Sequence, residues 1–315
     1  MMKALVFHGP YDVRLEERPN QTDVLIKTTS AALCGSELHR YRGHSKINMQ
    51  PGYICGHEGI GIVHEVGAGI KNFNVGDHVI VPFLVSCNEC FHCKRGVHGR
   101  CKNGRNFGGP SLDGSQAQYF RVPLADTTLY HLPKDVDLGE LAILMTDIFP
   151  TGFNGAKRAF IDTPREDWKD MSIAVIGCGP VALCSIISAR EYKPARIFAI
   201  DSIPSRLEAA KELGCIPINF KEVDPVAVIK KATDNNGVHA VIEGVGLSPA
   251  LKTAYDIICP GGKISSFVRN KDLIEKMKFI DLVLPQLDQS SVDALKRFER
   301  GELNKVVFKP NGLDI

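Results

Sequence analysis

The stretch Ser172-Ile173-Ala174-Val175-Ile176-Gly177-Cys178-Gly179-Pro180-Val181-Ala182 carries the reading that decides the fold. Its first five residues read as a buried strand, and Pro180 to Tyr192 reads as a helix. Between them runs G-x-G-x-x-A. Gly177 permits a tight turn, Gly179 lets the backbone approach a pyrophosphate seated on the helix N-terminus, and the small Ala182 lets helix and strand pack closely. A glycine-rich turn alone is a weak sign. Here it follows a strand, opens a helix and precedes, about twenty residues on, Asp201 at the end of the next strand. Gly177, Gly179, Pro180 and Val181 are therefore candidate dinucleotide-binding residues. A carboxylate at Asp201 accepts the ribose 2′-hydroxyl of NAD and repels the 2′-phosphate of NADP. Helix capping is the other role open to Asp201, although Ser202 and Ser205 can also cap, and nearby Arg206 pulls the choice of dinucleotide the other way.

Working outward, strands and helices keep alternating. Arg196 to Ile200, Ile216 to Asn219 and Ala240 to Glu243 read as strands, Ser205 to Leu213 and Leu251 to Ile258 as helices, the signature of a doubly wound parallel sheet in an α/β fold. Upstream of about residue 150 the character changes. The β-branched runs Asp23 to Thr29, Ile60 to Val66 and Asp77 to Pro82 are separated by glycine and proline, as in an antiparallel, partly barrel-like β domain. The expected division is a β domain over residues 1–152, to which 287–315 returns, and a Rossmann-type domain over 153–286.

Inside the β domain, Cys87, Cys90, Cys93 and Cys101 are spaced C-x2-C-x2-C-x7-C. Four thiolates on so short a loop can close a tetrahedron around one soft divalent ion, with no position left open for chemistry. Buried or disulfide-bonded cysteines are the plainer alternative, but the residues between them are polar, glycine-containing loop material. An iron–sulfur cluster is the rival metal. The ferredoxin run places its fourth cysteine closer and follows it with proline, whereas Lys102 stands here.

The 315 residues suit about two domains, and a net charge of +2 without blocks of like charge argues against a nucleic-acid or membrane-surface binder. Ten cysteines behind no secretory segment read as metal ligands and small core residues of a reducing, cytoplasmic compartment. Met1 to Phe7 runs straight into strand, and the longest apolar stretch, Ile173 to Ala189, is broken by glycine and too short to cross a bilayer comfortably. No nucleic-acid or membrane partner is expected.

A second set of metal-type residues is scattered. Cys34, His57 with Glu58, and Asp147 each lie at a loop or junction. Three protein ligands with an open fourth position is the arrangement of catalytic zinc. Taken singly, Cys34 reads as well as a core cysteine, and His57 as a satisfied turn histidine.

Together these residues resemble the zinc-dependent medium-chain alcohol dehydrogenases. The likeness runs from Met1 to about Phe267 and rests on Cys34-Gly35-Ser36-x-x-His39, Gly56-His57-Glu58-x-x-Gly61, Val75-Gly76-Asp77-His78-Val79, the four-cysteine lobe, Asp147 before Thr151-Gly152, and the glycine turn with Asp201. The resemblance implies a GroES-like catalytic domain beside the NAD-binding one and two zinc ions per chain. One would be structural in the lobe, and one catalytic on Cys34, His57 and Asp147. It implies further that Glu58 can enter the zinc shell during ligand exchange, that Ser36 takes the substrate proton, and that His39 relays it. Asp147 as third ligand is similar to the branch acting on secondary alcohols and polyols, with a small alcohol or carbonyl as substrate.

Two departures stand out. Glu37 replaces the family's usual aspartate in the shell that orients the zinc-bound histidine, so its longer arm has to be accommodated. After Pro260 to Phe267, roughly thirty residues and the last two strands of the dinucleotide sheet are expected to be missing. A sheet shortened in this way predicts NAD binding with low turnover, and monomer or non-specific association in place of the family's dimer. A catalytically impaired zinc- and dinucleotide-binding homologue is the alternative function. A zinc lobe serving only protein interaction is a third reading, opposed by the intact Cys34, Ser36, His57 and Asp147.

Overall fold

The structure, a computed structural model, describes residues 2–18, 23–43, 50–133, 139–267, 282–284, 289–300 and 306–308. It divides into two compact units, Met1–Asp147 with Ile280–Ile315, and Ile148–Phe279.

The first unit is built on the strand Val24–Ala32, whose residues are almost all buried. It pairs antiparallel with Glu58–Val66, Tyr119–Val122 and the C-terminal strand Val306–Phe308, so the chain returns to this sheet at its end. His78–Val81 extends the sheet beyond Glu58–Val66. Alternation of β-branched and polar residues puts Val24, Ile26, Val63, Val79 and Val81 on one face, where they close over Phe107 and Phe120. The register Ala32↔Glu58 places the end of one strand beside the start of the next. Both ends carry the metal-type residues.

In the second unit five parallel strands lie in the order Ile216–Asn219, Arg196–Asp201, Ser172–Ile176, Val238–Glu243, Ile258–Ser266. This is the 3-2-1-4-5 part of a dinucleotide-binding sheet. Ile173 and Val175 face one apolar layer while Ala174 and Ile176 face the other, which is why the strand reads as a continuous apolar run. The helices Pro180–Arg190, Pro204–Glu212, Pro225–Ala232 and Ser248–Ile257 each carry proline in the first turn, where a missing N–H is harmless.

The helix Ile148–Ala159 packs wholly in the second unit, with Ala156 and Ala159 in its core, so a boundary after residue 152 would cut it and the change of unit falls at Asp147. Its close approach to Pro180–Arg190 is set by glycine. A Cβ on Gly152 would lie 2.6 Å from the Val181 carbonyl oxygen. The shortening expected after Phe267 falls on residues outside the described ones. The strand Ile258–Ser266 is in place beside Val238–Glu243, with Cys259 to Gly262 looped out between the pairs Val238↔Ile258 and Ala240↔Lys263. Five strands of the sheet are therefore present up to Phe267.

Below this sheet, Phe160 stacks on Tyr192 at 4.2 Å, and Trp168 meets both rings edge-on at 5.9 and 4.7 Å while donating its indole N–H to Thr163 O. Among the described residues no helix is long and apolar enough to cross a membrane.

Candidate active site

Three segments of the first unit converge on one point. Cys34 stands at the N-cap of the short helix Gly35–Tyr41, immediately after the strand Val24–Ala32 and Leu33. His57 and Glu58 open the strand Glu58–Val66. Asp147 follows Thr146, whose carbonyl accepts from the Phe83 N–H at 3.1 Å and whose hydroxyl donates to Ile143 O. Ligand atoms of Cys34, His57, Glu58 and Asp147 all lie within 4.8 Å of one another. Asp147 Oδ2 is 3.3 Å from His57 Nε2 and 3.9 Å from Cys34 Sγ. A zinc tetrahedron with bonds of about 2.0–2.3 Å has nitrogen–oxygen edges of about 3.3 Å and sulfur–oxygen edges of about 3.5 Å. The donors therefore already stand close to the spacing that zinc requires.

The electrostatics point the same way. Burial alone would push the His57 imidazole down, but the Cys34 sulfur, Asp147 and Glu37 hold it well above its ordinary value. One histidine thus faces a thiol and carboxylates in a largely buried site, and Glu58 is completely buried beside it. Such a donor set suits a zinc ion. Ser36 Oγ stands 3.5 Å from His57 Nε2 at the exposed edge, and half-buried His39 follows on the same helix.

The longer arm of Glu37 finds its place here. As the third residue of the helix it accepts the Cys34 N–H at 2.8 Å, as a capping-box glutamate does. Its other oxygen faces His57 Nδ1 at 3.7 Å. Burial would raise its pKa, yet His57, the Cys34 N–H and Arg40 hold the carboxyl below the usual value.

No feature of the sequence pointed to Ser115 and Gln116. The segment from Gly114 to Gln116 zips along the chain leading into His57, with Gly114 N–H on Ile54 O, Ser115 N–H on Gly56 O and Gln116 N–H on Cys55 O. Ser115 Oγ donates to Glu58 O at 2.8 Å. The approach is so close that a Cβ on Gly114 would overlap the Gly56 carbonyl oxygen, and one on Gly59 would overlap Ser115.

The cysteine lobe is self-contained. Cys87, Cys90, Cys93 and Cys101 bring their sulfurs within 4.8 Å of one another, and Cys87 and Cys101 are 3.5 Å apart, near the roughly 3.8 Å edge of a zinc–thiolate tetrahedron. All ten cysteines are free thiols, which removes the disulfide alternative. Backbone N–H groups point at the sulfurs, Lys102 to Cys90 at 3.5 Å and Cys101 Sγ receiving Cys87 N–H at 3.4 Å. The first of these lowers the Cys90 thiol to about 6, whereas burial pushes Cys93 up to about 12.

In the second unit the glycine turn has the shape that a pyrophosphate needs. Gly177 has φ +82° with Val245 pressed against it, where a Cβ would sit 2.7 Å from Val245 Cγ2. Only glycine fits. Gly179, at the N-cap of Pro180–Arg190, faces open space with no heavy atom within 4 Å of a Cβ position, while Ala182 packs against Gly244. Asp201 is 5% exposed and already engaged: Oδ1 accepts from Ser202 N–H at 2.7 Å and Ile203 N–H at 3.0 Å. Its Oδ2 accepts from Cys178 N–H at 2.8 Å and faces Arg206 Nη1 at 3.4 Å. Ile203 is the N-cap of the next helix, with no side-chain cap bond, so none of Asp201, Ser202 and Ser205 is its N-cap residue.

Comparison with known proteins agrees with this geometry. Residues 20–134 match a family profile described as "Alcohol dehydrogenase GroES-like domain", and residues 180–300 one described as "Zinc-binding dehydrogenase". The chain is 46% identical over 272 residues to "Medium chain reductase/dehydrogenase ucsI" of Acremonium sp, covering 84% of this chain and 92% of that protein. It is 42% identical to "Zinc-type alcohol dehydrogenase B" of Aspergillus flavus, over 100% of this chain and 72% of that one. Among solved structures, alcohol dehydrogenase TADH from Thermus sp. ATN1 superposes with a TM-score of 0.87 at 31% identity, covering 98% of this chain and 100% of that one. Likeness this extensive reaches through both units and both sets of metal-type residues, and the chain belongs to the zinc-dependent medium-chain alcohol dehydrogenases, a family of alcohol oxidoreductases.

Proposed function

We propose that this chain interconverts secondary alcohols or polyols and their carbonyl compounds with NAD, at a zinc held by Cys34, His57 and Asp147. The observation that carries this reading is the convergence of a thiol, an imidazole and a carboxylate at near-tetrahedral spacing in a largely buried site. When bound, zinc supplies Lewis acidity toward the substrate oxygen, and the nicotinamide carries the hydride. The chain's own residues do the rest. Ser36 Oγ, beside the donor atoms, takes the substrate's hydroxyl proton, and His39 passes it toward solvent. Glu58 supplies a further carboxylate for the ligand set during exchange. A second zinc in the lobe is structural.

Gly177, Gly179, Pro180 and Val181 cradle the pyrophosphate. NAD is favoured over NADP because Arg206 is held against Asp201, so a 2′-phosphate would meet a buried ion pair rather than a lone cation. Free thiols throughout support a reducing compartment, the cytoplasm.

The test is a cofactor-reduction assay, NAD beside NADP, over a panel of secondary alcohols and polyols, with zinc quantification and sizing chromatography on the same preparation. Two zinc ions per chain and NAD-linked oxidation are expected. A zinc-replete protein inert toward every alcohol and polyol would sink the reading. Turnover near the ten per second of an average enzyme would remove the expectation of low activity.

A further inference from the structure

We infer that Gln116 is a positioning residue for the catalytic zinc, acting through Glu37. Its side chain is 1% exposed, and its amide nitrogen is 3.3 and 3.4 Å from the two oxygens of Glu37 and 3.3 Å from Ala32 O. The backbone on both sides is anchored, with Gln116 N–H donating to Cys55 O and Gln116 O accepting from Leu5 N–H, both at 2.9 Å. The route to Glu37 exists only because residue 56 is glycine. With φ +97°, Gly56 leaves a space in which its own Cβ would stand 2.7 Å from Gln116 Cγ.

The physical need follows from the glutamate's reach. Glu37 has one more rotatable bond than aspartate, so the carboxylate can swing away from His57 unless something fixes it. The Cys34 N–H fixes one oxygen at 2.8 Å. The amide of Gln116, forked across both oxygens, fixes the plane, so that the second oxygen stays toward His57 Nδ1. A carboxylate on the far nitrogen orients a metal-bound imidazole and keeps Nε2 free for the ion. Gln116 thus stands one step behind Glu37 in the support of a site it does not touch.

The inference rests on zinc being held by Cys34, His57 and Asp147, and the test separates the two ideas. Zinc release from the whole protein would be followed with a chromogenic chelator. If the unmodified protein holds zinc only in the lobe, the ligand assignment fails. If it holds two ions, Gln116→Leu, which keeps bulk and removes the donor, should lose the catalytic ion about tenfold faster, the lower end of what outer-shell partners contribute. The lobe ion should be released as in the unmodified protein, and the melting temperature should fall by only the few degrees that loss of a buried hydrogen bond produces. In a Glu37→Asp background, Gln116→Leu should add little, because the shorter arm no longer needs the amide. An unchanged release rate in Gln116→Leu overturns the role, as does an equal effect in both backgrounds. Should Gln116→Leu not fold, Gln116→Glu has the same shape but sets a second carboxylate against Glu37. It should release the catalytic ion faster still, and wild-type retention there would equally overturn the role.

Discussion

The two sets of metal-type residues are built in opposite ways. In the lobe, Cys87 and Cys101, 14 residues apart, nearly touch on a loop whose intervening residues are mostly exposed. At the catalytic site, Cys34 and Asp147 meet across 113 residues, and their neighbours are strand ends and a helix start fixed by the sheet. The glycine turn lies between, with Cys178 bonded to Asp201 across 23 residues. A short loop with little core of its own depends on its ion for shape, whereas a site joined by distant segments takes its shape from the fold before any ion arrives. With zinc at both sites, as proposed, the lobe would be folded by its metal and the catalytic site folded for one.

That contrast can be broken most decisively at Cys34. Cys34→Ser should remove one zinc and lower turnover by more than about a thousand-fold, since several kcal/mol of charge stabilisation are lost. The melting temperature should hardly move. Two tightly held zincs in that variant would discredit the ligand set, and a collapse of the fold would erase the distinction between the two sites.

Cys93→Ser should do the reverse. The lobe's zinc is lost, and with it a substantial part of the roughly 10–16 kcal/mol with which four-ligand sites hold zinc and shape their loops. Activity should fall less than stability, as measured by melting and turnover on one sample.

A smaller effect is expected at Asp201, where the sequence suggested a plain ribose contact and the structure shows a carboxylate tied to the glycine turn. Asp201→Ala should weaken NAD binding by about one to two decades, the equivalent of a charge-assisted hydrogen bond of about 1.5–3 kcal/mol, and should reduce the preference over NADP. Asp201→Asn retains an acceptor for the Cys178 N–H and should recover part of the binding but not the preference. Calorimetry with both dinucleotides decides this, and an NADP preference in the unmodified protein would show that Arg206 dominates.

The mildest test is pH. In zinc-stripped protein Cys90, lowered to about 6, is ionised at neutral pH, while Cys93, pushed up to about 12, must give up its proton to the incoming ion. Zinc affinity of the lobe should therefore fall on acidification, by about tenfold per pH unit for each proton displaced. The slope should steepen below about pH 6, where Cys90 is protonated as well. Titrations with zinc and a competing chelator at several pH values would show it.

Periodicity and punctuation made most of the second unit legible. The strands Ser172–Ile176 and Ile216–Asn219 fall where apolar runs end at glycine or turn residues, and the glycine turn announced itself by context. The helix Pro225–Ala232 went unread although Asp224 caps it by accepting the Val226 N–H, because its apolar face buries only Ile229 completely. The change of unit at Asp147 rather than after residue 152 was not legible, because Gly152 lies inside a helix, where it lets two helices touch. At the active site, the ligands were visible as residue types in the order of motifs that the family carries. Gln116 was not, because its partner lies 79 residues away and glutamine has no spacing signature. Nor was the full engagement of Asp201, which depends on two turns meeting in space.

The single tryptophan gives this protein a built-in optical reporter. Trp168 is packed against Phe160 and Tyr192 in the dinucleotide-binding unit, and the zinc-bearing unit contains none. Its emission should shift to the red when that unit unfolds and stay unchanged when chelators loosen the lobe. Fluorescence and zinc release, recorded together during denaturation, would therefore follow the two halves of the chain separately without any label.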